Sequence, residues 1–175
     1  MMPVPTHLQG LAFPLDGAVD EETLDAVVRC SCGSESFSLH YPGSTTEYNG
    51  TRIPVTAELN GAFFFRIEAT CSRCSRNVLL FDKDFHGWDG YVCHDEPQAA
   101  LPRPPLTPWN CVGCGSTSHS ARVTICTQGK DDFIENLGDS FPAERWPDGF
   151  GWFYLSIACG RCELKTESWV DYETM

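Results

Sequence analysis

Cysteine is the residue whose spacing points most directly to chemistry in this chain of 175 residues. Eight of the ten cysteines form four close pairs, namely Cys30-x-Cys32, Cys71-x-x-Cys74, Cys111-x-x-Cys114 and Cys159-x-x-Cys162. A short spacing directs two thiolates at one ion, and two such turns complete a tetrahedral four-sulfur site. The pattern therefore predicts two metal sites, one with the ligands Cys30, Cys32, Cys71 and Cys74, the other with Cys111, Cys114, Cys159 and Cys162.

We interpret both sites as structural Zn²⁺ sites. A disulfide framework is the first alternative, but bonds within pairs this close constrain the unfolded chain little. Iron is the second alternative. The second pair of each site continues as Cys74-Ser75 or Cys162-Glu163, without the trailing glycine expected of a rubredoxin-like iron site. Four cysteine ligands also leave no open position for an activated water, so no catalytic role is assigned to the metal.

The elements that must position these pairs are predicted to be mainly β-strands. Alternating apolar and more polar residues lead into the later pair of each half, over 65–69 and 153–157. Residues 37–41, 53–59, 62–70, 78–81, 122–127, 150–158 and 164–170 are also strand-like. Asn60-Gly61 is a strong hairpin signal. Helix is expected only over 21–28, with Asp20 as a candidate N-cap, and over 131–137.

The two halves resemble each other beyond the cysteines. Residues 32–38 (CGSESFS) and 114–120 (CGSTSHS) share five of seven positions, which places His119 where the first half has Phe37. The similarity predicts a tandem duplication. Residues 95–109 contain five prolines and predict a stiff, extended connector. We therefore expect an N-terminal extension plus a first module at 1–94, a proline-rich linker at 95–108 and a second module at 109–175.

These features resemble the zinc-ribbon fold group. The resemblance is carried by the knuckles CSCGS and CVGCGS, each followed by a strand, and by CSRC and CGRC, each preceded by one. It covers roughly residues 27–92 and 109–172. It implies a mainly β fold of two tandem zinc-ribbon modules with antiparallel sheets and little helix. It does not imply one function, because ribbons occur in transcription factors, ribosomal proteins, enzymes and adaptors.

The charge of the chain bears on its partners. The formal net charge is −12, with 12 acidic and 6 basic residues in 1–94 and the same numbers in 95–175. Such acidity repels phosphate backbones and anionic membranes and suits a basic protein partner. No secretory signal or membrane span is recognised, so we expect a cytoplasmic protein with reduced thiols.

Residues 81–91 (FDKDFHGWDGY) form the richest segment outside the knuckles. One interpretation is an exposed recognition loop, and the other is packing of its aromatic rings beneath the sheet. The candidate partner-binding residues are Phe85, His86, Trp88, Asp89 and Tyr91.

We therefore expect a non-enzymatic zinc protein that binds a protein partner, of adaptor, immunity or regulator type. The first alternative is a nucleic-acid-binding ribbon with a local basic cluster at Arg66, Arg73, Arg76 and Lys83. The second is a hydrolase or transferase that uses His86 and Asp89.

Overall fold

The computed structural model describes residues 2–16, 21–93 and 102–175. The fold is mainly β, with 42% strand and 16% helix, and its principal sheet has nine antiparallel strands and curls into a half-barrel. Those strands are β1 (Ala12–Pro14), β2 (Thr23–Val28), β3 (Phe37–Tyr41), β8 (Arg66–Cys71), β9 (Asn77–Asp82), β10 (Thr107–Pro108), β11 (Ser118–Cys126), β12 (Trp152–Cys159) and β13 (Lys165–Glu173).

Two separate hairpins lie between β3 and β8. They pair β4 (Thr45–Tyr48) with β5 (Thr51–Pro54), and β6 (Ala57–Leu59) with β7 (Ala62–Phe64). The turn predicted at Asn60-Gly61 is confirmed, and both residues have the positive φ that a tight hairpin turn requires. The strand expected over 53–59 is broken between β5 and β6.

Helix is confined to short segments. The helix expected over 131–137 is confirmed as α1 (Lys130–Leu137). In the described part of the chain the other helical segments are three 3₁₀ turns, at Thr6–Leu8, Gly138–Ser140 and Ala143–Gly149, and one π-helical turn at Trp88–Val92. Among the described residues, no helix combines the length and apolar character needed to cross a lipid bilayer.

The helix expected over 21–28 is wrong, because Thr23–Val28 forms strand β2. Leu24, Ala26 and Val28 are buried while the residues between them face outward, which is the period-two pattern of a half-buried strand. The strand lies between β1 and β11, and these two neighbours satisfy its backbone groups. Tertiary pairing has overridden a local helix signal. The proposed N-cap, Asp20, lies outside the described residues.

The order of the central strands is symmetric between the two halves. Across the sheet the order is β9-β8-β3-β11-β12-β13, so three strands of each half meet at the β3–β11 pair. At that junction Phe37 pairs with His119, its counterpart in the sequence repeat. The counterparts Ser36 and Ser118 share a side-chain hydrogen bond of 2.8 Å. That the halves arose by duplication stays a prediction.

Each half also contributes one strand that pairs with a strand of the other half. Strand β2, which precedes Cys30, pairs with β11 of the second half, and β10, which precedes Cys111, pairs with β3 of the first. The registers correspond, since Val27 lies opposite Arg122 and Pro108 lies opposite His40. The last residues of the predicted linker thus belong to the sheet. One buried cluster, which includes Leu39, Phe81, Val123 and Phe153, spans both halves. The predicted domain boundaries themselves stay untested.

Candidate metal centres

Four tight turns position the eight paired cysteines. In three of them the N–H of the first cysteine donates to the carbonyl five residues later, as from Cys71 to Arg76, Cys111 to Ser116 and Cys159 to Leu164, at 2.8–2.9 Å. The turn at Cys30 has one residue fewer between its cysteines, and its N–H donates to the carbonyl of Ser34 at 2.8 Å. The shorter turn therefore still presents both of its thiols.

Each turn ends on a residue with positive φ immediately after its second cysteine. Glycine occupies this position in the earlier turns, with φ of 85° at Gly33 and 72° at Gly115. In the later turns Ser75 and Glu163 occupy it, each with φ of 59°. The left-handed region favours glycine because it has no Cβ, so two of the four turns hold a strained residue.

The turns bring the cysteines together in two groups of four, as predicted. Within each group the sulfur atoms all lie within 4.8 Å of one another, and each group contains two buried, one intermediate and one exposed cysteine. The closest Sγ···Sγ contacts cross between turns, at 3.5 Å for Cys30–Cys74 and 3.6 Å for Cys32–Cys71. In the second group they are 3.6 Å for Cys111–Cys162 and 3.5 Å for Cys114–Cys159.

These distances fit a four-coordinate metal ion. Zinc–sulfur bonds of about 2.3 Å place tetrahedral sulfur atoms about 3.8 Å apart. The cysteine sulfurs are therefore already close to the spacing that one ion at the centre of each group would impose. Cys30, despite its unusual spacing, is part of the first group. Both groups could bind metal, and four protein ligands would close each site.

Hydrogen bonds from backbone N–H groups lower the pKa of thiols in both metal groups. Hydrogen bonds from the backbone N–H groups of Cys74 and Arg73 lower the pKa of Cys71 to about 6. In the second group, burial raises the pKa of Cys159, but hydrogen bonds from the N–H groups of Cys162 and Arg161 outweigh it and bring the pKa to about 6. At these two cysteines the backbone donors therefore favour the thiolate, which is the form that binds metal.

The remaining cysteines lie outside these groups. Cys93 is exposed, and Cys126 is partly buried with the hydroxyl of Thr23 4.0 Å from its Sγ. His119, which lies opposite Cys159 in the sheet, is buried, and its Nδ1 lies 3.0 Å from the carbonyl oxygen of Thr117. None of these three residues is a member of a four-cysteine group.

The candidate partner-binding residues divide between exposed and packed positions. Phe85 and Asp89 are exposed, although the Phe85 ring lies beneath the Arg103 guanidinium at 5.1 Å. Trp88 meets Phe133 edge-to-face at a centroid distance of 6.3 Å. Tyr91 likewise meets Phe141 at 5.3 Å. Packing therefore accounts for the two largest rings, while partner binding by the segment stays a prediction.

His86 lines a cavity to which Asp89, the acidic residue that the sequence paired with it, does not contribute. The His86 ring is stacked on His7, with centroids 3.7 Å apart, and it lines this cavity together with Arg145 and Asp148. Sequence reasoning missed His7, Arg145 and Asp148, because their proximity depends on contacts between segments more than 50 residues apart, as between Thr6 and Asp148 (142 positions).

The basic cluster suggested for nucleic acid is engaged within the chain. Arg66 forms ion pairs with Glu68 and Asp82. Lys83 pairs with Asp84 at 2.8 Å. The two remaining arginines bind the opposite knuckle of the first site, Arg73 through the carbonyl of Cys32 and Arg76 through the hydroxyl of Ser31. These internal contacts count against a phosphate-binding role for the cluster.

A second network, which the sequence did not suggest, anchors the later part of the predicted connector. Asp82 and Asp84 are buried, and Arg103 forms ion pairs with both carboxylates. Burial raises the pKa of Asp82, and the Arg103 guanidinium opposes that shift. The network joins the end of β9 to the segment that leads into β10.

Comparison with known proteins found no family model, no curated protein and no solved structure that matches this chain.

Proposed function

We propose that the chain binds two structural Zn²⁺ ions, one in each four-cysteine group, as a pair of zinc ribbons. The observation that carries this proposal is the crossed spacing of 3.5–3.6 Å between sulfurs of opposing turns in both groups. Sulfur-only tetrahedral sites suit zinc or iron. The serine and glutamate that end the later turns support zinc, as argued above from the absent glycine. Each ion contributes folding free energy on the order of 10 kcal/mol.

Metal analysis of the purified protein tests this proposal. Native mass spectrometry of material prepared under reducing conditions should show two zinc equivalents per chain. Thorough chelation should abolish the native circular dichroism spectrum, because the metal energy is comparable with the whole stability of a small domain. An iron–thiolate absorption band, or a native spectrum that survives complete metal removal, would contradict the assignment.

We further propose that the protein acts by binding a protein partner of basic character, in a compartment that keeps thiols reduced. Two features support this role: the net charge of −12 and the exposed aromatic residues on the hairpins of the first half. Tyr48 in the β4–β5 hairpin is 65% exposed, and Phe63 in the β6–β7 hairpin is 57% exposed. Exposed aromatic residues are the side chains from which interface anchors are drawn.

Capture experiments with nuclease-treated extract of the native source test partner binding. The zinc-loaded protein is the bait, and the double variant Tyr48→Ser/Phe63→Ser is compared with Val112→Ser, a 55% exposed residue beside the second metal site. A partner retained by the parent and by Val112→Ser, and lost with the double variant, supports the proposal. Recovery of nucleic acid alone, in untreated extract and in a salt-sensitive manner, would favour the nucleic-acid alternative instead.

A further inference from the structure

A cavity of about 210 Å³ lies apart from both metal groups, where three distant segments meet. The Thr6–Leu8 turn contributes Thr6 and His7, the segment after β9 contributes His86 and Tyr91, and the Ala143–Gly149 turn contributes Arg145 and Asp148. We name it the His86 cavity. Its volume is below the range of about 300–1,000 Å³ that is common for drug-sized ligands, so any occupant is small.

Arg145 is held in place at one wall of the cavity. Its Nε donates to Asp148 Oδ2 at 2.7 Å, and its guanidinium lies over the Tyr91 ring at 4.4 Å. Asp148 is buried and is itself fixed by Thr6, whose N–H donates to Oδ1 at 2.6 Å and whose hydroxyl donates to Oδ2 at 2.8 Å. Among the described residues, the Nη groups of Arg145 have no acceptor. The guanidinium is therefore held in place while its two Nη groups remain able to donate hydrogen bonds.

His86 contributes a neutral donor at the same cavity. Its Nδ1 accepts a hydrogen bond of 3.0 Å from the backbone N–H of Asp82, which leaves the ring proton on Nε2. Burial lowers the pKa of His86 to about 4, so the ring is uncharged at neutral pH. Burial also lowers the pKa of the stacked ring of His7, whose buried Nε2 has no partner within the described chain.

These contacts do not serve stability alone. A buried imidazole nitrogen without a partner is a cost to folding, and the nearby His86 ring adds to burial in lowering the pKa of His7. Such locally unfavourable arrangements are found where a site is kept for binding or chemistry.

We propose that the His86 cavity binds a small anion through carboxylate or phosphate oxygens, which accept from the Nη groups of Arg145 and from Nε2–H of His86. A planar guanidinium fork matches the paired oxygens of either group. Asp148 already accepts three hydrogen bonds, two from Thr6 and one from Nε of Arg145. Its carboxylate therefore does not occupy the Nη groups of Arg145, which stay available to the anion. The proposal does not depend on the partner-binding role.

Arg29 is a matched residue that lacks a cavity. It also donates through Nε to a carboxylate, that of Glu35 at 2.9 Å, and also lies over an aromatic ring, that of Phe13 at 5.0 Å. Its side chain is 42% exposed, the same fraction as that of Arg145. Arg29, however, commits Nη2 to the same Glu35 oxygen and does not line the His86 cavity. The two arginines therefore differ mainly in the feature that the proposal uses.

The test is a titration of the zinc-loaded, full-length protein at neutral pH and constant ionic strength. Inorganic phosphate and acetate are added separately, and the imidazole resonances of His86 are followed by NMR. One or both probes should shift these resonances saturably, and the probe that binds identifies the anion class. Arg145→Lys should weaken that binding about tenfold or more, because it removes a charge-assisted, bidentate contact. Arg29→Lys should leave it unchanged.

A second variant, Arg145→Gln, removes the charge while keeping a donor, and it replaces Arg145→Lys if that protein loses its native spectrum. The proposal is overturned if neither probe gives a saturable shift at His86. Equal weakening by Arg145→Lys and Arg29→Lys would also overturn it, because the effect would then be one of general charge.

Discussion

The two halves of the molecule share the same order of strands and cysteine turns, which we call the metal-binding frame, but they differ in the segment inserted between its first two strands. In each, a strand follows the first cysteine turn, a second strand leads into the later turn, and a third strand follows it. Between those first two strands, the first half carries the β4–β5 and β6–β7 hairpins, whereas the second carries α1 and two 3₁₀ turns. The frame tolerates either insert because the cysteine turns, not the insert, fix the ends of its strands.

The inserts also differ in what they contribute to the core. In the second half, Phe133 and Trp146 of the insert are buried and belong to the common hydrophobic cluster. In the first half, Tyr48 and Phe63 project into solvent. The second insert therefore adds aromatic side chains to the common core, whereas the first, although it buries Ala57 and Phe64, leaves two aromatic rings exposed. This contrast is why the hairpins carry the partner-binding proposal.

A third difference concerns the strands that the halves exchange. Strand β2 has six residues, whereas its counterpart β10 has two. Prolines at 102, 104, 105 and 108 account for the short strand, because proline has no N–H to donate to a neighbouring strand. The first half therefore gives the second more backbone pairing than it receives.

The largest expected effect comes from breaking either metal group. Cys71→Ser and Cys159→Ser should each prevent stable folding of the whole chain, since each ion supplies on the order of 10 kcal/mol and strands β2 and β10 tie the halves together. Zinc stoichiometry and thermal unfolding followed by circular dichroism measure this. Cys93→Ser, at an exposed thiol outside both groups, is the control and should be neutral. A variant that retains one zinc and an unchanged transition for the other half would show that the halves fold independently.

An intermediate effect on stability is expected in acid. It comes from His86, which lines a cavity with Arg145 and Asp148 of the second insert. The pKa of His86 is about 4 in the folded chain and about 6.5 when unfolded, so the unfolded state binds the proton more readily. The stabilisation is fully present above pH 6.5 and is lost as the pH falls toward 4, by on the order of 3 kcal/mol in total. Urea unfolding of the zinc-loaded protein at a series of pH values measures the change.

The variant His86→Gln separates the effect of protonating His86 from the effect of metal release in acid. Metal release affects the parent and the variant alike. The variant should lose less stability than the parent between pH 6.5 and 4. If both proteins lose stability in parallel, the folded chain does not hold His86 in its neutral form.

The smallest effect compares the turns within each metal group. Ser75→Gly and Glu163→Gly should each raise the free energy of unfolding by about 1 kcal/mol, because glycine relieves the left-handed backbone strain. Gly33→Ala and Gly115→Ala should lower it by about 1 kcal/mol. A Cβ at either glycine meets no atom within 4 Å, so backbone strain is the only cost. Chemical denaturation at saturating zinc gives the sign, and a loss of stability in Ser75→Gly would refute the shared turn geometry.

Local patterns in the sequence were enough to predict the ligand set and the strands around it. Cysteine spacing identified all eight thiols that converge in space. Apolar alternation located β3, β8 and β12, and Asn60-Gly61 located a hairpin. The same reasoning failed at Thr23–Val28, where a neighbouring strand from the other half decides the conformation.

Two four-thiol groups and a mainly β chain could be predicted without coordinates, because cysteine spacing and side-chain alternation are patterns of a few neighbouring residues. Three arrangements became visible only in the folded chain: the halves exchange strands, Arg103 pairs with two buried aspartates, and His7, His86 and Asp148 share one cavity. Each of these arrangements joins residues far apart in the chain. Their free energy depends on burial and pairing that exist only after the sheet has formed.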